Sequence, residues 1–227
     1  MIGVFDSGIG GLTAVAEIRK VAPNADVCFF ADKKNAPYGT KSPDELIALV
    51  KADIKKLRLF GADRILMACC TASTVHRYLP RTMRDIAEPI ILPTAREAAK
   101  VTSCGRVGVI ATEATVASGA FSRELSRFTS VKEVFELPLQ GLVSLVESGA
   151  CDKSITQAEK DELCRMLLPI RERKLDTLIL GCTHFPHLEG TIGALLPGLK
   201  LISSSREGAK EILKTTSPRG TGKTFYI

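Results

Sequence analysis

Two short apolar runs in this chain each end in a cysteine and a threonine. Arg64–Ala68 (RILMA) breaks into Cys69-Cys70-Thr71-Ala72-Ser73, and Thr177–Leu180 (TLIL) breaks into Gly181-Cys182-Thr183-His184. A thiolate can act as a base at carbon and the conjugate thiol as an acid. Two such groups on opposite faces of one small molecule could therefore remove a proton from one side and return one to the other. At the Cα of an amino acid that exchange inverts the centre, and the two groups trade roles in the reverse direction. The difficulty is energetic, because a cysteine has a pKa of about 8.5 and an amino-acid Cα–H is far less acidic. The site must stabilise both a thiolate and a developing carbanion. Helix N-termini and nearby cations lower a thiol pKa, and preorganised donors stabilise the incipient charge. His184, two residues after Cys182, shares its face if the segment is extended and could orient or polarise that thiol. Asp6 could do the corresponding job beside Cys69, with the hydroxyls and amides of Ser7, Thr71 and Thr183 holding carboxylates and ammonium.

The elements that would position these groups follow from the pattern around them. Each apolar run is β-branched, short and abruptly ended, as in central parallel strands buried on both faces. Ligands in open parallel sheets bind beyond the carboxyl ends of the strands. Ile2–Phe5 reads as a first strand, Asp6–Gly11 (DSGIGG) as a tight loop with close backbone approach to a ligand, and Leu12–Val21 as a helix. The G-x-G-G spacing lacks the third glycine of a dinucleotide fingerprint. Val27–Ala31 is a second strand, followed by a rigid turn at Ala36-Pro37-Tyr38-Gly39-Thr40. Leu46, Leu49, Val50, Ile54 and Leu57 recur at helical spacing over Pro43–Phe60, with Lys51-Ala52-Asp53-Ile54-Lys55-Lys56 as a solvated face. A helix is predicted over 74–87, a short strand or crossing segment over 89–93, and a helix over 95–101. Val107-Gly108-Val109-Ile110-Ala111-Thr112 then parallels Ile2-Gly3-Val4-Phe5-Asp6-Ser7. Helices at 141–149 (carrying Glu147), 158–173 and 205–214, and strands at 199–202 and 225–227, complete the chain. The predicted fold is α/β, with two pseudo-symmetric lobes built on mainly parallel sheets. Residues 1–93 plus 205–227 form the first, 94–204 the second, and the active site lies in the cleft between them.

Composition bounds the alternatives. The 227 residues are 45% hydrophobic and 25% charged, the range of ordinary globular proteins. No N-terminal signal pattern and no apolar stretch near the roughly 20 residues of a membrane span lead to the expectation of a cytoplasmic protein without membrane association. The seven cysteines have no framework spacing and are read as reduced, with Cys28, Cys104 and Cys164 as small buried hydrophobes. The net charge of +6 is dispersed, and no basic patch with interleaved aromatics argues for nucleic acid. Pyridoxal phosphate lacks a lysine-and-glycine context. A zinc site from Cys69, Cys70, Cys182 and His184 lacks C-x-x-C spacing, so no cofactor and no metal is expected. Gly220-Thr221-Gly222-Lys223-Thr224 precedes a strand instead of following one, unlike a phosphate loop.

Five motifs in order carry a resemblance: Asp6-Ser7-Gly8-Ile9-Gly10-Gly11-Leu12-Thr13, Pro37-Tyr38-Gly39, Cys69-x-Thr71-Ala72-Ser73, Thr112-Glu113-Ala114-Thr115-Val116, and Gly181-Cys182-Thr183-His184-Phe185-Pro186. They closely resemble those of the glutamate racemases, cofactor-independent enzymes of the aspartate/glutamate racemase superfamily that supply D-glutamate for bacterial peptidoglycan. The resemblance implies Cys69 and Cys182 as the two bases, assisted by Asp6 and His184. It further implies substrate contacts at Asp6, Ser7, Tyr38, Gly39, Cys70 and Thr71 in the first half. In the second half these would be Thr115, Glu147, Thr183 and His184. Gly-Cys-Thr-His points to glutamate over aspartate, and a homodimer is expected by analogy. Cys70 stands where the family usually has Asn, and a thiol is a weak donor and acceptor beside an amide. Asn35 stands where Arg is frequent, and relatives usually continue beyond the position of Ile227 into a further helix. The competing readings are a racemase of aspartate or a related small acid, and a weakly active glutamate-binding or regulatory homologue.

Overall fold

The computed structural model describes residues 1–217 and 220–227. Its strands are β1 (Ile2–Asp6), β2 (Val27–Ala31), β3 (Arg64–Met67), β4 (Ala87–Pro89), β5 (Arg106–Ala111), β6 (Glu133–Pro138), β7 (Thr177–Gly181), β8 (Lys200–Ser203) and β9 (Thr224–Tyr226). The chain divides into two compact units, Met1–Pro93 with Ser205–Ile227, and Thr94–Ser204.

In the first unit the sheet order is β4-β3-β1-β2-β9, with every pair parallel. Alternate residues of each strand serve opposite faces. Val4, Phe29 and Leu66 pack with Ala14 and Ile18 of helix Leu12–Val21 and with Ile212 of helix Ser204–Lys214. Phe5, Phe30, Ile65 and Met67 pack with Leu46, Val50, Ile54 and Leu57 of helix Pro43–Leu59. Each of the larger side chains among these stabilises the fold by about 1.5–3 kcal/mol on burial. Helix Pro43–Leu59 starts where the sequence requires, because Ser42 and Glu45 form a capping box and Pro43 needs no N–H in the first turn.

The second unit has the order β6-β5-β7-β8, again all parallel. Taken from its other edge, this is the β4-β3-β1-β2 order of the first unit, with β5 in place of β1 and β7 in place of β3. The registers agree as well: Gly3 pairs with Ile65 and Gly108 with Leu178. A Cβ on Gly3 would stand 2.9 Å from Ala62 Cβ, and one on Gly108 would stand 2.7 Å from Leu175 Cδ1. The central strand is thus closely covered at the same place in both sheets, and an added side chain there would have to displace its neighbours.

Several expectations need correction. The stretch 74–87 is not one helix: it holds the turns His76–Tyr78 and Arg81–Arg84, separated where Leu79 goes extended (φ −72°, ψ 152°) ahead of Pro80. A residue before proline disfavours the helical region. The strand predicted over 89–93 lies earlier, at Ala87–Pro89, and Ile91 already opens helix Ile91–Val101, with Pro93 in its first turn, where a missing N–H costs nothing. β6 and helix Ala120–Leu125 were not anticipated; β6 is an edge strand whose residues are half-buried or exposed, so it has no continuous buried apolar run to reveal it. Cys28 is buried, but Cys104 and Cys164 are only partly so. Asp53 and Ile54 do not belong to a solvated helix face, since both are buried.

Asp176, just before β7, ties that strand to the end of helix Ile91–Val101. Its carboxylate accepts hydrogen bonds from Thr102 Oγ1 at 2.7 Å, Ser103 N at 2.6 Å, Ser103 Oγ at 2.8 Å and Cys104 N at 2.7 Å. Burial opposes its charge, but the hydrogen bonds from Thr102, Cys104 and Ser103 outweigh it and hold the carboxyl well below the usual range. The stabilisation is complete above the unfolded pKa of about 3.9 and fades as pH falls toward the folded value. Asp176→Asn is expected to cost about 1–3 kcal/mol at pH 7 after solvent screening. Urea denaturation should show the gap from the parent protein closing as pH falls below about 4.

Candidate active site

β1 ends on Asp6, which is buried. Its Oδ2 accepts from Gly11 N at 2.9 Å and from Gly8 N at 3.3 Å, so the loop amides clamp the carboxylate at the start of helix Leu12–Val21. A Cβ on Gly11 would lie 2.6 Å from Asp6 Cβ and 3.0 Å from Phe29, whereas one on Gly8 would meet nothing within 4 Å. Gly11 thus makes room for Asp6 and Phe29, and the close approach expected of a ligand is at this position an approach of the protein to itself.

Beside it, Ala68 N donates to Phe5 O at 3.0 Å and delivers Cys69 to the mouth of the sheet. Cys69 caps the short helix Cys70–Ser73, its Sγ accepting from Ala72 N at 3.5 Å. The thiol lies 3.7 Å from Ser7 Oγ, to which it donates. Burial, with the Asp6 charge acting in the same sense, pushes the Cys69 thiol up to about 12, against smaller opposing contributions from the Ala72 and Ser7 hydrogen bonds. Cys70 and Thr71 are buried in the helix. The helix is pinned by Ser73 Oγ, which donates to Met67 O at 3.0 Å and accepts from Ile90 N at 3.1 Å.

Tyr38 opens the turn Tyr38–Thr40 after a cis Ala36–Pro37 peptide, and that turn packs on helix Cys70–Ser73. The Tyr38 side chain is buried, with its hydroxyl 2.7 Å from Asp32 Oδ2 and 2.6 Å from Asp53 Oδ2. Asn35 Nδ2 donates to both Asp32 oxygens, at 3.0 and 2.9 Å. The phenol anchors the turn inward, and Gly39 is half-buried beside it. Sequence reasoning singled out neither Asp32 nor Asp53. The signal for Asp53 was its place on the apolar stripe of its helix, beside Val50, Ile54 and Leu57.

In the second unit β7 ends on Gly181 and Cys182 follows, buried, with Sγ 3.5 Å from His184 Nδ1. Thr183 is also buried. Glu147 is exposed at the end of helix Gln140–Glu147, which packs on the Phe185–Leu188 turn. His184 Nε2 lies 3.3 Å from Glu147 Oε1, an ion-pair distance, and this buried nitrogen makes no hydrogen bond among the described residues. Thr112 caps helix Glu113–Ala117; its Oγ1 accepts from Thr115 N at 3.3 Å and donates to Thr115 Oγ1 at 2.9 Å, which holds buried Thr115 in place.

The two units thus carry their thiols at matching positions and their neighbours at different ones. Cys69 is the fourth residue beyond Ile65, the partner of Gly3, and Cys182 the fourth beyond Leu178, the partner of Gly108. By the same register Asp6 corresponds to Ala111 and His184 to Thr71. The first thiol has a carboxylate beside it and the second an imidazole. Among the described residues no three His, Cys, Asp or Glu side chains are grouped as metal ligands would be.

Comparison with known proteins agrees with this architecture. The Asp/Glu/Hydantoin racemase family matches residues 13–212. A glutamate racemase of Desulforudis audaxviator is 43% identical over 199 residues, covering 86% of this chain and 71% of that relative. Among solved structures, a glutamate racemase isoform of Bacillus anthracis superposes with a TM-score of 0.88 at 30% identity, over 100% of this chain and 86% of the other. The glutamate racemase of Francisella tularensis in complex with D-glutamate gives 0.85 at 30% identity, over 99% and 85%. Two matched parallel sheets, a thiol at the same strand end in each, and this degree of similarity over most of the chain make it a member of the Asp/Glu/Hydantoin racemase family.

Proposed function

We propose that this chain interconverts L- and D-glutamate without a cofactor, with Cys69 and Cys182 addressing opposite faces of the substrate Cα. The observation that supports this reading is the register equivalence of the two thiols, since inversion needs one acid-base group per face in related settings. In one direction a thiolate takes the Cα proton and forms S–H. The electron pair left on carbon is delocalised into the carboxylate, and the opposite thiol delivers its proton to the other face. The reverse direction exchanges the roles. The family's D-glutamate, and through it peptidoglycan synthesis, would be the use of the product.

The surroundings of each thiol suit this chemistry differently. Cys69, buried beside Asp6, rests as a thiol ready to donate. For the opposite direction it must ionise, and a substrate ammonium beside it would favour the thiolate. Once formed, a thiolate held beside a carboxylate in a dry site is a strong base, which narrows the gap to the weakly acidic Cα–H. Cys182 has His184 Nδ1 at 3.5 Å, a ring nitrogen that can hydrogen-bond the thiol and hold it in place. Asp6, Ser7, Gly39, Cys70, Thr71, Thr115, Glu147 and Thr183 would complete the contacts to substrate, Tyr38 acting through the position of its turn.

Two outcomes check the reading. Cys69→Ala and Cys182→Ala should each lower racemisation of glutamate by at least about a hundredfold, the scale of losing a general acid-base group, followed by polarimetry and by Cα deuterium uptake in heavy water. Racemisation retained in either variant would refute the assignment, and inversion of aspartate in preference to glutamate would move the substrate. In the unliganded protein Cys69 should alkylate slowly with iodoacetamide at pH 7, because only the thiolate reacts. Asp6→Asn should accelerate that alkylation severalfold, read by mass spectrometry of the Cys69 peptide.

A further inference from the structure

The hydroxyl of Tyr38 stands within hydrogen-bonding distance of two buried carboxyl groups, at 2.7 Å from Asp32 and 2.6 Å from Asp53. A phenol carries one proton and can donate it to one acceptor. The second short contact therefore requires a second proton, or two lone pairs would face each other without one. Asp32, Tyr38 and Asp53 are 5%, 1% and 3% exposed, so bulk water does not relieve the conflict. The two acids are not equivalent. Asp32 receives Asn35 Nδ2 on both oxygens, whereas Asp53 lies on the apolar face of helix Pro43–Leu59, with the Lys56 cation nearby. The Lys56 ammonium itself sits 3.7 Å over the Phe30 ring.

We propose that at pH 6 Asp53 is a neutral carboxylic acid: it donates to Tyr38, Tyr38 donates to Asp32, and this buried proton chain positions the Tyr38–Thr40 turn against helix Cys70–Ser73. Asp53 is then a positioning residue for the Cys69 end of the site. Burial pushes its carboxyl up to about 7, with the Asp32 charge in the same sense and the Tyr38 contact and Lys56 charge opposing. The sign follows. A carboxyl whose folded pKa lies above its unfolded value of about 3.9 contributes stability that is complete below that value and lost as pH rises through about 7.

The test compares the full chain with its Asp53→Asn and Asp53→Leu variants. Asn keeps a donor toward Tyr38 at every pH, and Leu keeps none. At pH 6 the infrared difference between the parent protein and Asp53→Asn should contain a carboxylic-acid C=O band that disappears by pH 8. Its absence at pH 6 overturns the proposal. Amide hydrogen exchange at pH 6 in peptides covering 36–42 and 68–74 should be about tenfold faster in Asp53→Leu, the scale of one lost hydrogen bond, and close to the parent rate in Asp53→Asn. Equal acceleration in both variants, or in neither, overturns the positioning role. The effect on catalysis rests on the glutamate racemase reading: KM for glutamate should rise severalfold from pH 6 to pH 8 in the parent and stay flat in Asp53→Asn. A parallel rise in both overturns that link. Absence of racemisation with the band and the exchange pattern intact would refute the racemase reading and leave the proton chain standing.

Discussion

A parallel ladder transmits register along its strands, and here that constraint decides where the chemistry-bearing side chains stand. Once Gly3 faces Ile65, Cys69 is carried to the mouth of the first sheet; once Gly108 faces Leu178, Cys182 is carried to the same place in the second. A slip of one residue would turn each strand's side chains to the other face. Such a slip is prevented because both faces are packed: Leu66 serves one helical layer, and Ile65 and Met67 serve the other. The absence of a side chain at Gly3 and Gly108, where Ala62 and Leu175 press on the strand, belongs to the same constraint. Core packing and the location of the thiols are one problem, solved twice with one topology.

Around these matched positions the sequence diverges, and the divergence is electrostatic. In the first unit the end of the central strand supplies a carboxylate, immobilised by the amides of Gly8 and Gly11, that opposes ionisation of its neighbouring thiol. In the second unit the corresponding residue is Ala111, and the titratable neighbour arises from the segment after β7 as His184. A pair of acid-base groups that must work in both directions does not need identical surroundings. In the proposed reaction the cost of moving a proton from one thiol through the substrate to the other must be tolerable either way, and a carboxylate beside one and an imidazole beside the other would be two routes to a basic sulfur.

The Tyr38 turn is held in place by a buried polar network. Its hydroxyl faces inward to Asp32 and Asp53, and the turn it fixes packs on the helix capped by Cys69. Low local dielectric makes such a network rigid when every hydrogen bond is satisfied and costly when one is not. A neutral acid at one end is what satisfies it.

Much of this was legible in the residues themselves. The short β-branched runs ending at Cys69 and Cys182, the repeat of Ile2-Gly3-Val4-Phe5 as Val107-Gly108-Val109-Ile110, and the helical stripe from Leu46 to Leu57 identify parallel strands, two similar halves and a packed helix, because periodicity and propensity are local properties. The two cysteines at strand ends were legible for the same reason: residue type and neighbouring motif are local. Tertiary structure alone decided the rest. Only the folded ladder shows that Cys69 and Cys182 are register equivalents and that Asp6 and His184 are not. Asp53 reads as one more charge among Lys51, Lys55 and Lys56 until packing places it under Tyr38. Gly11 serves Asp6 and Phe29, a partnership set by how a loop closes over β1. Edge strand β6 and the broken segment around Pro80 escaped notice because their stability comes from neighbours distant in the chain. Sequence determines what each residue can do; which groups share a dry, fixed neighbourhood is a property of contacts that only the fold brings about.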